Sequence, residues 1–324
     1  MKAVIITKYG GPEVLQVMER PVPEPTGNDV RVKIHFAGVN RSDLLQRRGY
    51  YPAPAGAPSD IPGLELMGIV DALGPDVILW QKGQRVFGLL GGGGYSEYAI
   101  TNENLLALVP DSLSDVDAAA VPEVFMTAHD ALIQANFKSG DHVLIHAAGS
   151  GVATAAIQLV HALKGISYGT ARSEEKLKKA LELGLDAALP LPDFLSALRN
   201  ATNGKGVNIV LDFVGAPYFR QNLEALRSLG SLVQIGTMGG SKTEIDLSVV
   251  LAKRLRIIGT VLRSRSPEEK SRVTKRFIQE VIPLLENRTI HPVIDRIFPL
   301  ESASEAHAYL ENNANFGKVL LRIS

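Results

Sequence analysis

The sequence predicts an α/β protein in which a doubly wound parallel sheet is combined with a second, β-rich domain. Two patterns lead to this prediction. Between residues 141 and 262, short apolar segments alternate with segments of helical periodicity, which is typical of a parallel sheet built from βαβ units. Residues 1–120 instead carry short strand-like segments separated by Gly and Pro clusters. A chain of 324 residues is long enough for two such domains.

The most informative segment is residues 141–172, which predicts a strand, a tight turn, a helix with one apolar face and a second strand. The turn is made of small residues, namely Gly149, Ser150, Gly151 and Val152. Small residues let the backbone approach a pyrophosphate closely, and free N–H groups at the helix start bind the anion. The spacing G-x-G-x-x-G is imperfect because Thr154 occupies the third glycine position. A tight turn without a ligand therefore remains an alternative.

The alternation of strands and helices continues from this segment to residue 262. Ser173 is a helix cap and Gly184 a helix stop, so a helix is predicted over 173–183. The remaining predicted elements are a strand at 187–189, a helix at 193–201, a strand at 207–213, a helix marked by Phe219, Leu223, Leu226 and Leu229, and strands at 231–235 and 255–261.

The two ends of the chain have a different pattern. Strands are predicted at residues 3–7, 29–37, 68–72, 84–87 and 95–100, which suggests a small barrel or sandwich. A helix over 115–136 is interrupted at Pro122. Ser266-Pro-Glu-Glu begins a further helix that runs towards Leu285. A strand at 293–298, a helix at 301–311 and a strand at 318–323 follow. We expect the last strand to return to the N-terminal domain, so the predicted domains are 1–122 with 263–324, and 123–262.

The composition excludes several classes of function. Lys and Arg number 34 and Asp and Glu also number 34, and this balance argues against a general binder of nucleic acid or of membrane surfaces. The chain has no cysteine, which excludes disulfides, thiolate metal sites and cysteine nucleophiles. The first residues lack the long apolar core of a signal peptide. We therefore expect a soluble, cytoplasmic protein.

Short motifs spread over nearly the whole chain carry a resemblance. They are Gly38-Val-Asn40-x-x-Asp43, Arg48-Gly49-x-Tyr51, Pro62-Gly63-x-Glu65-x-x-Gly68, Pro122-Glu-x-x-x-Thr127-Ala128, Ser150-Gly151-Val152, Asp212-x-x-Gly215 and Gly317-Lys318-Val-Leu320. In this order they resemble the medium-chain dehydrogenase/reductase superfamily. Within it, the chain is most similar to the zinc-free quinone oxidoreductases related to zeta-crystallin, in the subgroup of NADPH quinone reductases. The resemblance implies a Rossmann cofactor domain and a GroES-like β-rich catalytic domain.

The segment after the second strand of the cofactor domain indicates which cofactor is used. NAD-specific units have an Asp or Glu at that strand end, but this chain has Arg172 and Ser173 there, with Lys176 one helical turn further on. An Arg can hold the 2′-phosphate of NADPH by charge-assisted hydrogen bonds. Each residue also has an ordinary alternative, as a loop charge, a helix cap or an exposed helix residue. The resemblance adds further cofactor contacts, namely Asn40, Thr127, Gly215, Gly236, Thr237, Met238, Val261, Leu262, Asn315 and Lys318.

The resemblance also implies where the chemistry occurs. Zinc-dependent relatives have a zinc-binding Cys at the position of Asn40 and a zinc-binding His at that of Leu64, so no metal is expected. Asn40 and Asp43 would face the nicotinamide or the substrate, although Asp43 could instead bond its own turn. The Tyr51 hydroxyl, beside a Pro-rich loop, could hydrogen-bond a carbonyl oxygen that gains charge. Packing is the alternative role for Tyr51.

Three functions follow from these predictions. The first is NADPH-dependent reduction of quinones by hydride transfer without zinc. The second is reduction of enones or enoyl thioesters with the same cofactor, and the third is a structural or regulatory NADPH-binding protein with little turnover. The apolar run at 255–262 should lie at a sheet edge, where pairing protects exposed backbone groups. Together with the resemblance, this run predicts a homodimer formed through the Rossmann domain.

Overall fold

The fold is built around two large β-sheets, each belonging to its own compact unit, and Lys2–Ile6 and Leu15–Glu19 pair as a third, two-stranded sheet. The computed structural model describes all residues, 1–324. Met1–Met126 and Leu262–Ser324 together form one compact unit, called the catalytic unit below, and Thr127–Val261 form the other, the cofactor unit. The sequence placed the boundaries after residues 122 and 262. Pro122 is instead the first residue of a helix that continues through residue 126 without a break.

Strands dominate the beginning of the chain, and strands alternate with helices in its middle. The N-terminal part contains β1 (Lys2–Ile6), β2 (Leu15–Glu19), β3 (Asp29–Val39), α1 (Arg41–Arg47), β4 (Glu65–Leu73), β5 (Arg85–Leu89), β6 (Tyr98–Asn102), β7 (Leu106–Leu108), α2 (Asp115–Ala119) and α3 (Pro122–Gln134). The middle part contains β8 (His142–Ile145), α4 (Gly151–Ala162), β9 (Ile166–Thr170), α5 (Glu174–Glu182), β10 (Ala187–Leu189), α6 (Phe194–Ala201), β11 (Val207–Asp212), α7 (Phe219–Ala225), β12 (Leu226–Gln234), α8 (Leu247–Lys253) and β13 (Arg256–Gly259). The C-terminal part contains α9 (Pro267–Glu280), α10 (Ile282–Glu286), β14 (Ile294–Pro299), α11 (Ala303–Glu311) and β15 (Lys318–Arg322).

The sheet of the catalytic unit has seven strands in the order β14-β15-β3-β4-β5-β7, with β6 also paired to β3. Its pairs are antiparallel except that between β14 and β15. The last strand, β15, pairs with β3 so that Val319 lies opposite Val39. The C-terminal strand therefore returns to the N-terminal sheet, as the sequence predicted, and it brings Lys318 beside the end of β3.

The sheet of the cofactor unit is parallel throughout and confirms the doubly wound prediction. Its order is β10-β9-β8-β11-β12-β13, which is the 3-2-1-4-5-6 order of dinucleotide-binding sheets. Helices connect successive strands, and one apolar cluster includes Leu144, Val210 and Leu232 from three neighbouring strands. The strand order reverses between β8 and β11. In such sheets, ligands bind outside the carboxyl ends of the strands at this point.

One predicted element was wrong in its extent. The sequence assigned Leu226 and Leu229 to a helix, but α7 ends at Ala225 and β12 begins at Leu226. Leu226 pairs with Val207 and is buried against the sheet, so strand pairing overrides the helical spacing of the leucines. Leu229, at φ 65°, lies where the pairing with β11 changes register. The short elements β2, β7, α1 and α8 were not predicted.

The helix predicted towards Leu285 is divided into two. Its start is as predicted, because Ser266 and Glu269 form a reciprocal capping box. The helix α9 ends at Glu280, and α10 begins at Ile282 with Pro283 in its first turn. A proline is accepted in a first turn because its missing N–H has no helical partner there. No helix of the structure is both long enough and apolar enough to cross a lipid bilayer.

Candidate active site

The turn after β8 supplies hydrogen-bond donors at the carboxyl end of the parallel sheet. Ala147 has a left-handed backbone, with φ 50°. Ser150 is the N-cap of α4, and its hydroxyl accepts a bond from the Ala153 N–H at 3.4 Å. Gly151 is the first residue of the helix. The first N–H groups of a helix have no acceptor within it, and the helix dipole is positive at this end. The turn therefore fits a pyrophosphate.

A buried aspartate fixes the neighbouring loop after β11. Asp212 Oδ1 accepts hydrogen bonds from the N–H groups of Val214 at 2.6 Å and Gly215 at 3.0 Å. Its other carboxylate oxygen, Oδ2, accepts a bond from Asn222 Nδ2 at 3.0 Å. Both Asp212 and Asn222 are fully buried. Both carboxylate oxygens accept hydrogen bonds from the protein, so Asp212 fixes the loop rather than contacting a ligand.

The same network continues through a buried histidine to β9. His146 Nε2 donates to Asn222 Oδ1 at 2.7 Å, because the Asn222 amide nitrogen already faces Asp212. The Thr170 hydroxyl donates to His146 Nδ1 at 2.8 Å. Burial lowers the pKa of His146, which agrees with a neutral ring. The chain of bonds thus ties together the ends of β8, β9 and β11, which are the strands around the predicted dinucleotide.

Close packing joins the loops after β11 and β12. Gly215 has φ +86°, and a Cβ added there would lie 2.6 Å from the Gly240 carbonyl oxygen, so this position requires glycine. The Met238 N–H donates to the Phe213 carbonyl at 3.2 Å, and Gly239 to Val214 at 2.8 Å. Of the predicted cofactor contacts, the structure brings four together here, namely Gly215, Gly236, Thr237 and Met238.

The end of β9 has a positive charge where NAD-specific sites have an acid. Arg172 is exposed, and its guanidinium opposes the rise that burial causes in the pKa of Tyr218. The Ser173 hydroxyl accepts a bond from the Lys176 N–H at 3.4 Å and so caps α5. Helix capping was the alternative role that the sequence predicted for Ser173. The Ser173 hydroxyl and the Lys176 side chain lie on the first turn of α5. Positively charged and hydroxyl groups of this kind, with no carboxylate at the strand end itself, can bind a phosphate group.

In the catalytic unit, Asn40 is hydrogen-bonded to both members of a buried ion pair, Lys318 and Glu65. Lys318 Nζ donates to Glu65 Oε1 at 2.5 Å and to Asn40 Oδ1 at 2.7 Å. The Asn40 amide also donates to Glu65 Oε1 at 2.8 Å. Lys318 is 3% exposed and Glu65 is fully buried. A Cβ on Gly38 would lie 1.9 Å from Glu65 Oε1, so the glycine makes room for the pair. The second Glu65 oxygen accepts the N–H of Glu123 at 2.8 Å.

These contacts involve two residues that have predicted roles. Lys318 was predicted to contact the cofactor, but its ammonium group is buried and bonded to Glu65 and Asn40. Asp43 was predicted to face the ring or substrate, but it is fully buried and accepts bonds from the N–H groups of Asn40 at 2.8 Å and Gly63 at 3.1 Å. Asp43 closes a capping box with Asn40 at the start of α1. Both residues contact Asn40: Asp43 accepts its N–H, and Lys318 donates to its amide oxygen.

A buried chain of polar groups extends from Asp43 towards α11. The Tyr95 hydroxyl donates to Asp43 Oδ2 at 3.1 Å and lies 3.1 Å from His307 Nε2. Arg47 donates to His307 Nδ1 at 3.2 Å and also bonds Glu311. Burial and the Arg47 charge lower the pKa of His307 to about 3, so the ring is neutral. Burial raises the pKa of Asp43 to about 6 although its hydrogen bonds oppose the rise. Asp43 is thus ionised at neutral pH.

Tyr51 is held by a single arginine. The Arg263 guanidinium lies 5.0 Å from the centre of the Tyr51 ring and donates to the Tyr51 carbonyl oxygen at 3.0 Å. It also donates to Gly91 O at 2.8 Å and to Gln46 Oε1 at 2.6 Å. Burial raises the pKa of Tyr51 to about 12, so the hydroxyl keeps its proton and can donate a hydrogen bond. The proximity of Glu123 adds to this rise.

Glu123, in the same unit, has a carboxyl group that is an unusually weak acid. Burial and the neighbouring Glu65 carboxylate raise the pKa of Glu123 to about 8, while the Lys318 charge opposes the rise. The side chain is therefore protonated at neutral pH and acquires a negative charge only as the pH rises through about 8. Glu123 lies in the first turn of α3; the sequence analysis named it only as a motif residue and assigned it no role.

This acidity predicts an alkaline limb in the activity profile. Above pH 8, ionised Glu123 places a negative charge near Tyr51 and opposes charge on any oxygen bonded to that tyrosine. We expect kcat/KM to fall above about pH 8, and we expect Glu123→Gln to remove this fall while changing kcat/KM at pH 7 by less than about threefold. The measurement is a pH–rate profile. Glu286→Gln, on an exposed position, should keep the fall; a fall retained in Glu123→Gln would contradict the assignment.

The remaining predicted contacts occupy varied environments. Thr127 is partly buried in α3, and Val261 is 44% exposed just after β13. Leu262 is buried in the catalytic unit. The Asn315 amide donates to the Gly317 carbonyl at 2.7 Å. Leu64, at the position of a zinc ligand in zinc-dependent relatives, is buried. The structure contains no group of three or more His, Asp or Glu residues placed to hold a metal ion.

Comparison with known proteins identifies the family. A model described as "Alcohol dehydrogenase GroES-like domain" matches residues 26–111, and one described as "Zinc-binding dehydrogenase" matches residues 151–280. The quinone oxidoreductase of Rattus norvegicus is 31% identical over 99% of this chain and 97% of its own length. The chain is a member of the medium-chain dehydrogenase/reductase superfamily.

Solved structures of similar proteins agree with this membership. The Escherichia coli quinone oxidoreductase complexed with NADPH covers 100% of both chains at 28% identity, with a TM-score of 0.89. A protein described as an NAD-dependent alcohol dehydrogenase covers 100% of both chains at 33% identity, with a TM-score of 0.88. This dehydrogenase/reductase is thus an NAD(P)-dependent oxidoreductase with a GroES-like unit and a parallel-sheet cofactor unit.

Proposed function

We propose that this dehydrogenase/reductase is an NADPH-dependent reductase of quinones that acts without zinc. The observation that carries the proposal is the full-length similarity to quinone oxidoreductases at 31% identity. Two features of the chain support it. Asn40 and Leu64 replace the residues that would bind zinc, and Arg172 supplies positive charge for a 2′-phosphate.

The residues would divide the work between the two units. NADPH, when bound, supplies the hydride. The N–H groups at the start of α4 would hold its pyrophosphate, and Arg172 with Ser173 and Lys176 would hold its 2′-phosphate. In the catalytic unit, the Tyr51 hydroxyl would donate a hydrogen bond to a quinone oxygen. Hydride and one proton convert the quinone to hydroquinone, so that oxygen gains negative charge during the reaction.

The contribution of Tyr51 is expected to be modest. Tyr51→Phe removes one neutral hydrogen bond, which contributes on the order of 1 kcal/mol, so kcat/KM for quinones should fall about tenfold or less. The dissociation constant of NADPH should stay nearly unchanged. Steady-state kinetics with fluorescence titration of NADPH measure both quantities.

The neighbouring tyrosine provides a matched control. Tyr50 is 77% exposed, and Tyr50→Phe should leave both constants unchanged. A loss of about a thousandfold or more in Tyr51→Phe would identify an essential acid rather than a replaceable donor. Full activity in a normally folded Tyr51→Phe variant would return this residue to a packing role.

The competing functions are separated by one acceptor screen. Chelator-treated protein is supplied with NADPH and, in parallel, with quinones, enones and enoyl thioesters. Oxidation of NADPH fastest with quinones supports the proposal, whereas preference for enones or enoyl thioesters supports the second candidate. Binding of NADPH without oxidation by any acceptor would indicate a non-catalytic protein. Activity that returns only when zinc is added would refute the zinc-free mechanism.

We also propose that the protein is a homodimer formed through the cofactor unit. The strand β13 is the last in its sheet, and Ile257 within it is 43% exposed; Leu251 on α8 is 80% exposed. Such an apolar edge pairs readily with a second copy. Light scattering at micromolar concentration should give twice the chain mass of 34.9 kDa. Ile257→Asp should shift the protein towards monomer, while Ile78→Asp in the other unit should not. A wild-type monomer would contradict the proposal.

A further inference from the structure

Arg263 is placed where it can control the geometry of the predicted quinone site. It is 6% exposed and joins three separate segments of the catalytic unit. Its Nε donates to Gly91 O, its Nη1 to Tyr51 O and its Nη2 to Gln46 Oε1. Three of its five N–H groups are thereby fixed in directions that a planar guanidinium alone can satisfy together.

The arginine holds Tyr51 at two points. One is the backbone carbonyl, at 3.0 Å, and the other is the face of the ring, whose centre lies 5.0 Å from the guanidinium carbon. A cation over an aromatic face attracts the ring electrostatically, and more strongly where water is excluded. With the carbonyl and the ring both fixed, the direction of the Tyr51 hydroxyl is restricted.

Two of the segments near Arg263, at Gly91–Gly92 and at Ala57–Pro58, are also packed against each other. A Cβ on Gly91 would lie 2.9 Å from Ala57 Cβ, and one on Gly92 would lie 2.9 Å from the Pro58 carbonyl oxygen. Gly91 and Gly92 therefore pack directly against Ala57 and Pro58, which belong to the Pro-rich loop that follows Tyr51. Through its bond to Gln46, Arg263 also connects these two packed segments to α1.

The acceptors of Arg263 are a further clue. The three hydrogen-bond partners are two carbonyl oxygens and an amide oxygen, with no carboxylate among them. A buried guanidinium that serves only the fold is usually paired with a carboxylate, because burying a charge is costly. The positive charge interacts with Asp43, Tyr51 and Glu123 electrostatically, without a hydrogen bond to any of their side chains. It opposes the rise in the pKa of Tyr51, and so favours negative charge at that hydroxyl.

We propose that Arg263 is a positioning residue that holds the Tyr51 hydroxyl in line with the quinone oxygen. This inference rests on the proposed function. A lysine cannot replace the arginine, since it is a point charge without the planar fork and stacks less well on the ring. Arg263 does not itself contact the reacting atoms in this scheme. Its effect on catalysis passes through Tyr51 alone.

A double-mutant cycle tests this dependence. Arg263→Lys is made in the wild-type chain and in Tyr51→Phe, and kcat/KM is measured with the same quinone. In the wild-type chain we expect a loss of about fivefold to tenfold, similar to the loss of one hydrogen bond. In Tyr51→Phe, which has no hydroxyl to position, Arg263→Lys should cost less than about twofold. The dissociation constant of NADPH should not change in any variant.

Two other variants keep the test decisive. Arg265→Lys, two residues away, is the matched control and should retain full activity. Should Arg263→Lys fail to fold, Gln46→Met removes one acceptor while keeping the arginine, and its loss should likewise disappear in Tyr51→Phe. Equal losses in both backgrounds would show that the arginine stabilises the packed segments without acting through Tyr51. That result would overturn the inference but not the proposed function. A wild-type protein that reduces no quinone would overturn both the inference and the proposed function.

Discussion

Lys318→Met is expected to destabilise the fold by about 3–5 kcal/mol, the range for breaking a buried ion pair from one side. Glu65 would remain as a fully buried carboxylate without its cation, and one bond to Asn40 would also be lost. The effect is expected in the melting temperature and in the midpoint of urea unfolding. Catalysis should suffer as well, because Asn40 would lose the group that orients its amide oxygen.

Two further variants locate the cause of this loss. In the double variant Glu65→Gln/Lys318→Met no buried charge is left, so we expect it to be more stable than Lys318→Met alone. The control is Lys33→Met on the exposed face of β3, which should change stability by less than about 0.5 kcal/mol. If Lys318→Met and Lys33→Met change the free energy of unfolding equally, the buried pair of Lys318 and Glu65 does not stabilise the fold.

Arg172→Ala is expected to weaken NADPH binding about tenfold to hundredfold. A charge-assisted hydrogen bond contributes about 1.5–3 kcal/mol, and NADPH has a 2′-phosphate that NADH lacks. The affinity for NADH should therefore hardly change. Calorimetric titration of both cofactors into wild type and variant measures the difference.

An exposed residue on the neighbouring helix gives the control for this experiment. Lys178→Ala removes the same charge from α5 and should leave the preference for NADPH intact. Equal affinity of the wild type for the two cofactors would contradict the role of Arg172. Equal weakening of both cofactors by Arg172→Ala would assign the residue to the fold rather than to the 2′-phosphate.

The local signals in the sequence predicted much of the cofactor unit. The caps at Ser150, Ser173 and Ser266 depend on residues within one helical turn, and the two that were predicted, Ser173 and Ser266, were correct for that reason. The parallel sheet was predictable because alternating apolar and helical segments leave few other arrangements. Leu226 was misassigned because its partner Val207 belongs to another strand, which a local window does not include.

The catalytic unit was harder to predict because its site is assembled from distant segments. Arg263 and Gln46 are 217 positions apart, and Arg47 and His307 are 260 apart. No spacing rule connects such pairs, and an isolated Arg, His or Glu in a sequence has no visible partner. Lys318 was singled out by resemblance, but only the pairing of β15 with β3 shows that its charge is turned inward to Glu65.

The most direct test of the proposed reaction is a single-turnover experiment on the chelator-treated protein. NADPH-loaded protein is mixed with one equivalent of a quinone, and the loss of reduced nicotinamide absorbance is followed together with formation of hydroquinone. We predict one hydroquinone for each NADPH oxidised, at a rate unaffected by added zinc. No oxidation of NADPH, or oxidation that begins only after zinc is added, would contradict a zinc-free quinone reductase.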